Sequence, residues 1–194
     1  INKGMNMRKR LIIGVSGASG APLAIDVLNE MKTRADDWET HLIITDGAER
    51  TFYEECDLKA DDVKKLADVS YDIKDLGAAV SSGSFPVEGM IVVPCSMKSL
   101  AGIASGYSDN LLLRAADVTL KQRRKLVLVA RETPLSGIHL RNMLEVQKLG
   151  AVILPPVLTY YSRPRSVEDM TRCITGKILD EFGIEAANYK RWGM

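Results

Sequence analysis

The sequence predicts a doubly wound α/β protein, a parallel sheet held between two helical layers, on three observations. Short apolar, β-branched runs alternate with longer helical patterns from one end of the chain to the other. Each run is apolar at every position, as expected of strands covered on both faces. No internal repeat, low-complexity tract or linker interrupts the series.

The first run, residues 11–15, leads into a stretch where Leu23, Ala24, Val27, Leu28 and Met31 recur at three-and-four spacing, one face of an amphipathic helix. Residues 41–45 form the second run, which makes the opening unit βαβ. The third, fourth and fifth runs are residues 90–94, 126–129 and 151–154. Helical spacing fills residues 110–124 and 137–149. Ser166-Val167-Glu168-Asp169 has capping-box character, opening a last helix that runs to about Phe182.

At 194 residues the chain is about one domain long. Its 26 basic and 25 acidic side chains leave a formal charge of +1. A protein built to grip nucleic acid or an anionic membrane carries a marked basic excess, so neither partner is expected. Cys56, Cys95 and Cys173 are odd in number and form no C-x-x-C pair, which fits a reducing compartment and no disulfide framework. His41 and His139 are the two histidines, and no ligand cluster accompanies them, so no metal is expected. Arg8, Lys9 and Arg10 precede an apolar run far shorter than a signal or membrane segment needs, and a cytoplasmic protein is predicted. Residues 1–6 are patternless and read as upstream or added sequence, poorly ordered; residues 7–194 read as a single α/β domain.

In such a fold ligands gather at the carboxyl ends of the strands. Five segments occupy those positions: 16–20, 45–46, 95–99, 131–136 and 155–165. In the first, Gly14-Val15-Ser16-Gly17-Ala18-Ser19-Gly20 offers small residues and backbone N–H groups at a helix start, a cradle for a phosphate or a flavin. Its spacing is neither the dinucleotide fingerprint nor a P-loop, and a tight turn without a ligand is the plainer reading. Pro94-Cys95-Ser96-Met97-Lys98-Ser99 repeats the design, and the two turns are expected to converge on one ligand. Ser81-Ser82-Gly83-Ser84 is either a loop that closes on that ligand or a solvated turn.

Arg114 and Lys121 are seven apart and share a helix face, toward a phosphate or a subunit contact, while Arg123 and Arg124 end a solvated helix. Arg131 and Glu132 follow a strand directly, a place that packing alone does not explain. Tyr160-Tyr161-Ser162-Arg163-Pro164-Arg165, Lys177, Arg191 and Trp192 bring phenols, cations and an indole to one end of the molecule, as a site, an interface patch, or both if the site lies between subunits. His139 reads as a capped or core-edge residue, Met97 and Met143 as packing, and Cys95 as an unreactive thiol.

Together G-x-S-G-A-S-G-A, S-S-G-S-F, P-C-S-M-K-S-L, N-L-L-L-R-A-A-D-V-T-L-K-Q-R-R, R-E-T-P-L, H-L-x-N-M, G-A-V-I-L-P-P, Y-Y-S-R-P-R-S-V-E-D and R-W-G resemble the UbiX family of flavin prenyltransferases, from about Lys9 to Trp192. The branch is similar to subunits associated with phenolic-acid decarboxylases. The resemblance implies a flavodoxin-like Rossmann αβα domain that binds FMN, in a homo-oligomer, commonly a dodecamer. It implies metal-free transfer of a dimethylallyl group from dimethylallyl phosphate to reduced FMN, giving prenylated FMN for a UbiD-type decarboxylase. Gly17, Ala18, Ser19, Thr45, Ser96, Met97, Lys98, Ser99, Arg114 and Arg131 carry over as FMN contacts. Lys121, Glu132, Tyr161 and Lys177 carry over as prenyl-phosphate contacts, with Trp192 flanking the prenyl group. Ser19, Glu55, Lys121 and Glu132 are the expected catalytic residues. Lys177 stands where some members have arginine, and Thr45 where many have serine. The competing readings are an FMN-dependent aromatic-acid decarboxylase and a non-enzymatic FMN-binding subunit.

Overall fold

The computed structural model describes residues 8–187 together with Tyr189, Arg191 and Gly193. In chain order the elements are β1 (Lys9–Val15), α1 (Ala21–Lys32), β2 (Trp38–Ile44), α2 (Asp46–Cys56), α3 (Ala60–Lys64), β3 (Val69–Tyr71), β4 (Gly89–Cys95), α4 (Met97–Ser105), α5 (Leu111–Lys121), β5 (Lys125–Ala130), α6 (Gly137–Lys148), β6 (Val152–Ile153) and α7 (Val167–Asp180), with one 3-10 turn at Ala79–Ser81.

The strands form one sheet in the order β3-β2-β1-β4-β5-β6, and every pairing is parallel. The chain winds outward from β1 to β3, returns to the other side of β1 and winds outward again to β6. Its direction reverses between β1 and β4, where a doubly wound sheet opens its binding crevice. Continuous apolar strands feed both layers. Leu11, Ile13, Val15, Ile91, Val93, Val127 and Val129 point into a core with residues of α1, α2 and α7, whereas Ile12, Met90, Val92, Leu126 and Leu128 point into a second core with α4 and α5. Both cores hold fully buried side chains, as the unbroken runs predict.

The differences have local causes. β3 is a three-residue edge strand, Val-Ser-Tyr, only half buried, so it carries no apolar run to announce it. β2 starts at Trp38, three residues ahead of its apolar run, because Arg10 and Lys9 of β1 pair with Glu39 and Trp38. β6 keeps two residues of the predicted four. α7 ends at Asp180, and Ser166 caps it by accepting from the Asp169 N–H at 3.2 Å. His139, expected as a capped or core-edge residue, takes part in the cap itself: Ser136 and His139 exchange hydrogen bonds at the start of α6.

One loop lies where it cannot cover the crevice of its own protomer. Segment 81–84 precedes β4 and therefore sits at the amino edge of the sheet, where the Arg124 guanidinium donates to Gly83 O and Phe85 O, both at 2.9 Å. Among the described residues no helix is long and apolar enough to cross a membrane.

Candidate functional site

Ser16 is the first residue after β1 and is 1% exposed. Its N–H donates to Pro94 O at 3.2 Å, its hydroxyl donates to the same oxygen at 2.9 Å, and that hydroxyl accepts from the Ser96 N–H at 2.7 Å. The turn after β1 and the turn after β4 are thereby fastened to each other, side by side, as the sequence predicts. Ser96 in turn caps α4, accepting from the Ser99 N–H at 3.2 Å. On the other side, Thr45 donates its N–H to Val15 O at 3.0 Å and caps α2 by accepting from the Ala48 N–H. Gly17 and Gly47 meet backbone to backbone: a Cβ on Gly17 would lie 2.9 Å from Gly47 C and Cα, so this contact admits no side chain.

These turns open onto a cleft of about 910 Å³, within the size range of small-molecule sites. Gly17, Thr45, Ser96, Lys98 and Ser99 all line it. Ser16 and Lys74, together with Tyr107 and Arg141, line it too and were not among the sequence-derived contacts. A hydroxyl residue directly after the first apolar strand was the available signal for Ser16. Arg141 gave none, because it comes from α6, far along the chain, which folds over the outer side of the cleft.

The α1 N-terminus has a built-in anion. Gly20 is its N-cap and brings no side chain, and the Glu55 carboxylate, at the end of α2, instead accepts from the Gly20 and Ala21 N–H groups, both at 2.9 Å. Desolvation alone would raise the Glu55 pKa; hydrogen bonds from Gly20, Ser19 and Ala21, with the charge of Arg131, hold it below the ordinary carboxylate value. A ligand phosphate at this turn would face that carboxylate. The α4 N-terminus, framed by Ser96, Lys98 and Ser99, has no such resident anion among the described residues and suits a phosphate, leaving the first turn to an uncharged ring system.

The other predicted residues are placed as follows. Arg131 follows β5 and donates its N–H to Cys95 O at 3.1 Å, which sets it beside the second turn. Glu132 is exposed, with the Thr133 N–H donating to its carboxylate at 3.0 Å. Ala18 closes the first turn through its N–H to Ser16 O, and the Met97 side chain packs against the α4–α5 core. Arg114, half-buried near the start of α5, pairs with Asp117 at 2.7 Å and is not among the residues that line the cleft. Cys95 is fully buried and its thiol is pushed up to about 12 by desolvation, so it is no nucleophile.

Lys121 and Lys177 do not reach this cleft within one protomer. Lys121 ends α5, just ahead of β5, and so sits at the amino edge of the sheet, opposite Arg131 and Glu132. Segment 81–84 shares that edge, since Gly83 abuts the side chain of Gln122. Lys177 lies near the end of α7, and Phe182, two residues beyond that helix, packs on the start of β4 at Gly89. Tyr161 is exposed on the segment before α7, and its neighbour Ser162 touches Cys173 at 3.7 Å, one helical turn from Lys177. Arg191 pairs with Asp180, and Trp192 lies outside the described residues.

A family model described as Flavoprotein matches residues 1–179. A probable UbiX-like flavin prenyltransferase of Sedimentibacter hydroxybenzoicus is 53% identical over 183 residues, 94% of this chain and 96% of that protein. The crystal structure of AnUbiX (PadA1) in complex with FMN and dimethylallyl pyrophosphate superposes with a TM-score of 0.93 at 50% identity, covering 97% of this chain and 99% of that one. A dodecameric FMN-dependent Ubix-like decarboxylase from Escherichia coli O157:H7 gives a TM-score of 0.93 at 46% identity, covering 95% and 100%.

Proposed function

The chain belongs to the UbiX-like flavin prenyltransferases of the flavoprotein family, and from that premise we propose how its own residues perform the transfer. The enzyme joins a dimethylallyl group to reduced FMN, giving a prenylated flavin. The observation that carries the assignment of groups is the pair of turns fastened by Ser16, one filled by Glu55 and the other ready for an anion. FMN is seated with its ring over Gly17, Ala18 and Ser19, and its phosphate on Ser96, Met97, Lys98 and Ser99, flanked by Thr45, Arg114 and Arg131.

The donor is held by Lys121, Glu132, Tyr161, Lys177 and Trp192. As the allylic carbon–oxygen bond breaks, positive charge develops on the prenyl group and is met by aromatic faces. Negative charge develops on the leaving phosphate and is met by the two lysines and the Tyr161 hydroxyl. Glu132, exposed beside Arg131, donates a proton to that phosphate. Glu55 is held as a carboxylate beside Ser19, which suits it to accept a proton at the flavin edge.

Lys121 and Glu132 stand at opposite edges of one protomer's sheet, so the complete donor site lies between protomers. α6 fits that arrangement: Val146 is its buried residue, while Ile138, Leu140 and Leu144 are exposed. Residues 7–194 act as one FMN-binding domain in a cytoplasmic homo-oligomer, a dodecamer by analogy with the E. coli relative. A UbiD-type decarboxylase receives the product.

Mass spectrometry of the flavin after incubation with reduced FMN and dimethylallyl phosphate tests the reading. The expected product carries one added five-carbon unit, and Lys121→Ala or Glu132→Ala abolishes it while FMN stays bound. Carbon dioxide released from a phenolic acid by the isolated protein, with no prenylated flavin formed, overturns it in favour of a decarboxylase.

A further inference from the structure

Beyond α7 the chain turns back and runs along the helix it has just left. Gly183 adopts a left-handed backbone with φ of 68°, and the Ile184 N–H donates to Leu179 O at 3.1 Å, which closes the reversal. Ile184 is buried, and the segment after it is held on two sides. On the α1 side the Arg34 guanidinium donates to Glu185 O, and the Ala187 N–H donates to the Glu30 carboxylate at 3.0 Å. On the α7 side the Tyr189 ring lies directly on Gly176, where any Cβ would overlap the ring. The Arg191 guanidinium sits 5.0 Å from the centroid of that ring and donates to both oxygens of Asp180, at 2.6 and 2.5 Å.

Gly176 is buried in the interior of α7, where glycine weakens a helix relative to alanine. Tyr189 accounts for it, since alanine, the better helix former, would expel the ring. Arg191 and Asp180 are 34% and 28% exposed, so their pairing adds little to the core, whereas a two-pronged bond fixes direction as well as distance. Notch, ring and ion pair therefore serve position. Their neighbours show what is positioned. Lys177 follows Gly176 on α7, and Trp192 follows Arg191 in the chain. Both were assigned above to the donor, one to its phosphate and the other to its prenyl group. Gly176, Asp180, Tyr189 and Arg191 are not among the residues that line the flavin cleft.

We propose that Gly176, Tyr189, Arg191 and Asp180 are positioning residues for the prenyl donor, a clamp that holds the carboxyl-terminal segment along α7, beside Lys177, before the donor arrives. The proposal rests on the prenyltransferase reading. A free segment has to be ordered each time the donor binds, and that ordering weakens donor affinity; a clamped segment has lost the freedom in advance. The flavin site stands apart from the clamp, so FMN affinity does not depend on it.

Four measurements on the wild type, Asp180→Asn, Gly176→Ala and the paired swap of Asp180→Arg with Arg191→Asp test this: donor kinetics at saturating reduced FMN, FMN titration, thermal melting, and release of the carboxyl-terminal residues by trypsin, read by intact mass. In Asp180→Asn and Gly176→Ala, KM for dimethylallyl phosphate is expected to rise about fivefold or more, the scale of a two-pronged charged bond. Both kcat and FMN affinity stay within about twofold of wild type, as for lost donor binding alone, and trypsin acts faster. Gly176→Ala favours the helix itself, so its melting temperature is not expected to fall. The paired swap restores the ion pair with its charges exchanged and recovers most of the donor KM. An unchanged KM despite faster release overturns the proposal, and so does unchanged release. Equal losses of donor and FMN affinity with a lowered melting temperature also overturn it, reducing the four residues to supports of the fold. If the wild type adds no five-carbon unit to FMN, the prenyltransferase reading itself falls, and the proposal with it.

Discussion

The hydroxyl of Ser16 accepts the backbone N–H of Ser96 at 2.7 Å across 80 residues of sequence, and so fixes where the second turn stands relative to the first. Ser16→Ala leaves that N–H without its partner in a buried place, at a cost of about 1–3 kcal/mol. The strain falls on the N-terminal turn of α4, where a flavin phosphate is expected, and not on the ring position. FMN affinity is therefore expected to drop about tenfold while riboflavin affinity changes little, as read by fluorescence titration of both. Equal losses for the two ligands would mean that Ser16 supports the fold without setting the phosphate site.

Glu55 caps α1 from a neighbouring helix, so Glu55→Gln weakens both bonds without removing the side chain. The carboxylate is solvent-exposed, which places the expected loss near the low end for a cap, about 0.5–1 kcal/mol at neutral pH. Its folded pKa lies below the ordinary 4.5, so the stabilisation is complete above 4.5 and disappears as pH falls through the lowered value. Thermal melts of the two proteins should differ at pH 7 and converge in that acid window. A difference that persists unchanged there would detach the effect from the carboxylate charge.

The parts of the fold that announce themselves in the sequence are those whose local pattern and tertiary environment agree. β1, β4 and β5 are buried on both sides and are apolar at nearly every position. β3 is legible only through its pairing, since Val69, Ser70 and Tyr71 owe their strand state to His41, Leu42 and Ile43 beside them. In the site, Gly17, Thr45, Ser96 and Ser99 were readable because a parallel sheet gathers its strand ends on one side. The edge on which Lys121 lies follows from the same topology, but what faces that edge in an assembly does not. Arg141 and Lys74 reach the cleft through long-range packing, for which neither spacing nor composition gives a cue.

Gly17→Ala tests the backbone contact that shapes the first turn. The added methyl group would meet Gly47 backbone atoms at 2.9 Å, where no flexible side chain can move aside, so the turns after β1 and β2 must separate. Destabilisation of about 1–3 kcal/mol and a lowered flavin affinity are expected. Gly137→Ala is the matched control: a Cβ there meets nothing within 4 Å at the first position of α6, and the change is expected to be neutral or mildly stabilising. Differential scanning fluorimetry with and without FMN reads both, and equal behaviour of the two variants would remove the contact from the account of the site.

A donor site divided between protomers makes a prediction that a site within one protomer does not. Lys121 sits at the amino edge of the sheet and Glu132 at the carboxyl edge, so a single chain cannot bring both to one phosphate without unpairing β5, which runs between them. In a closed homo-oligomer each site then takes Lys121 from one chain and Glu132 from its neighbour. Lys121→Ala and Glu132→Ala homo-oligomers are both expected to be inactive. Co-expressed at equal levels and purified through two different tags, the mixed assemblies regain activity, because wherever an E132A chain supplies Lys121 to a K121A chain that supplies Glu132, an intact site forms; random mixing gives about a quarter of sites. Prenylation of FMN, measured by mass, is the readout. If both residues served the same protomer's site, every chain would carry one defect in its own site, and mixing would restore nothing.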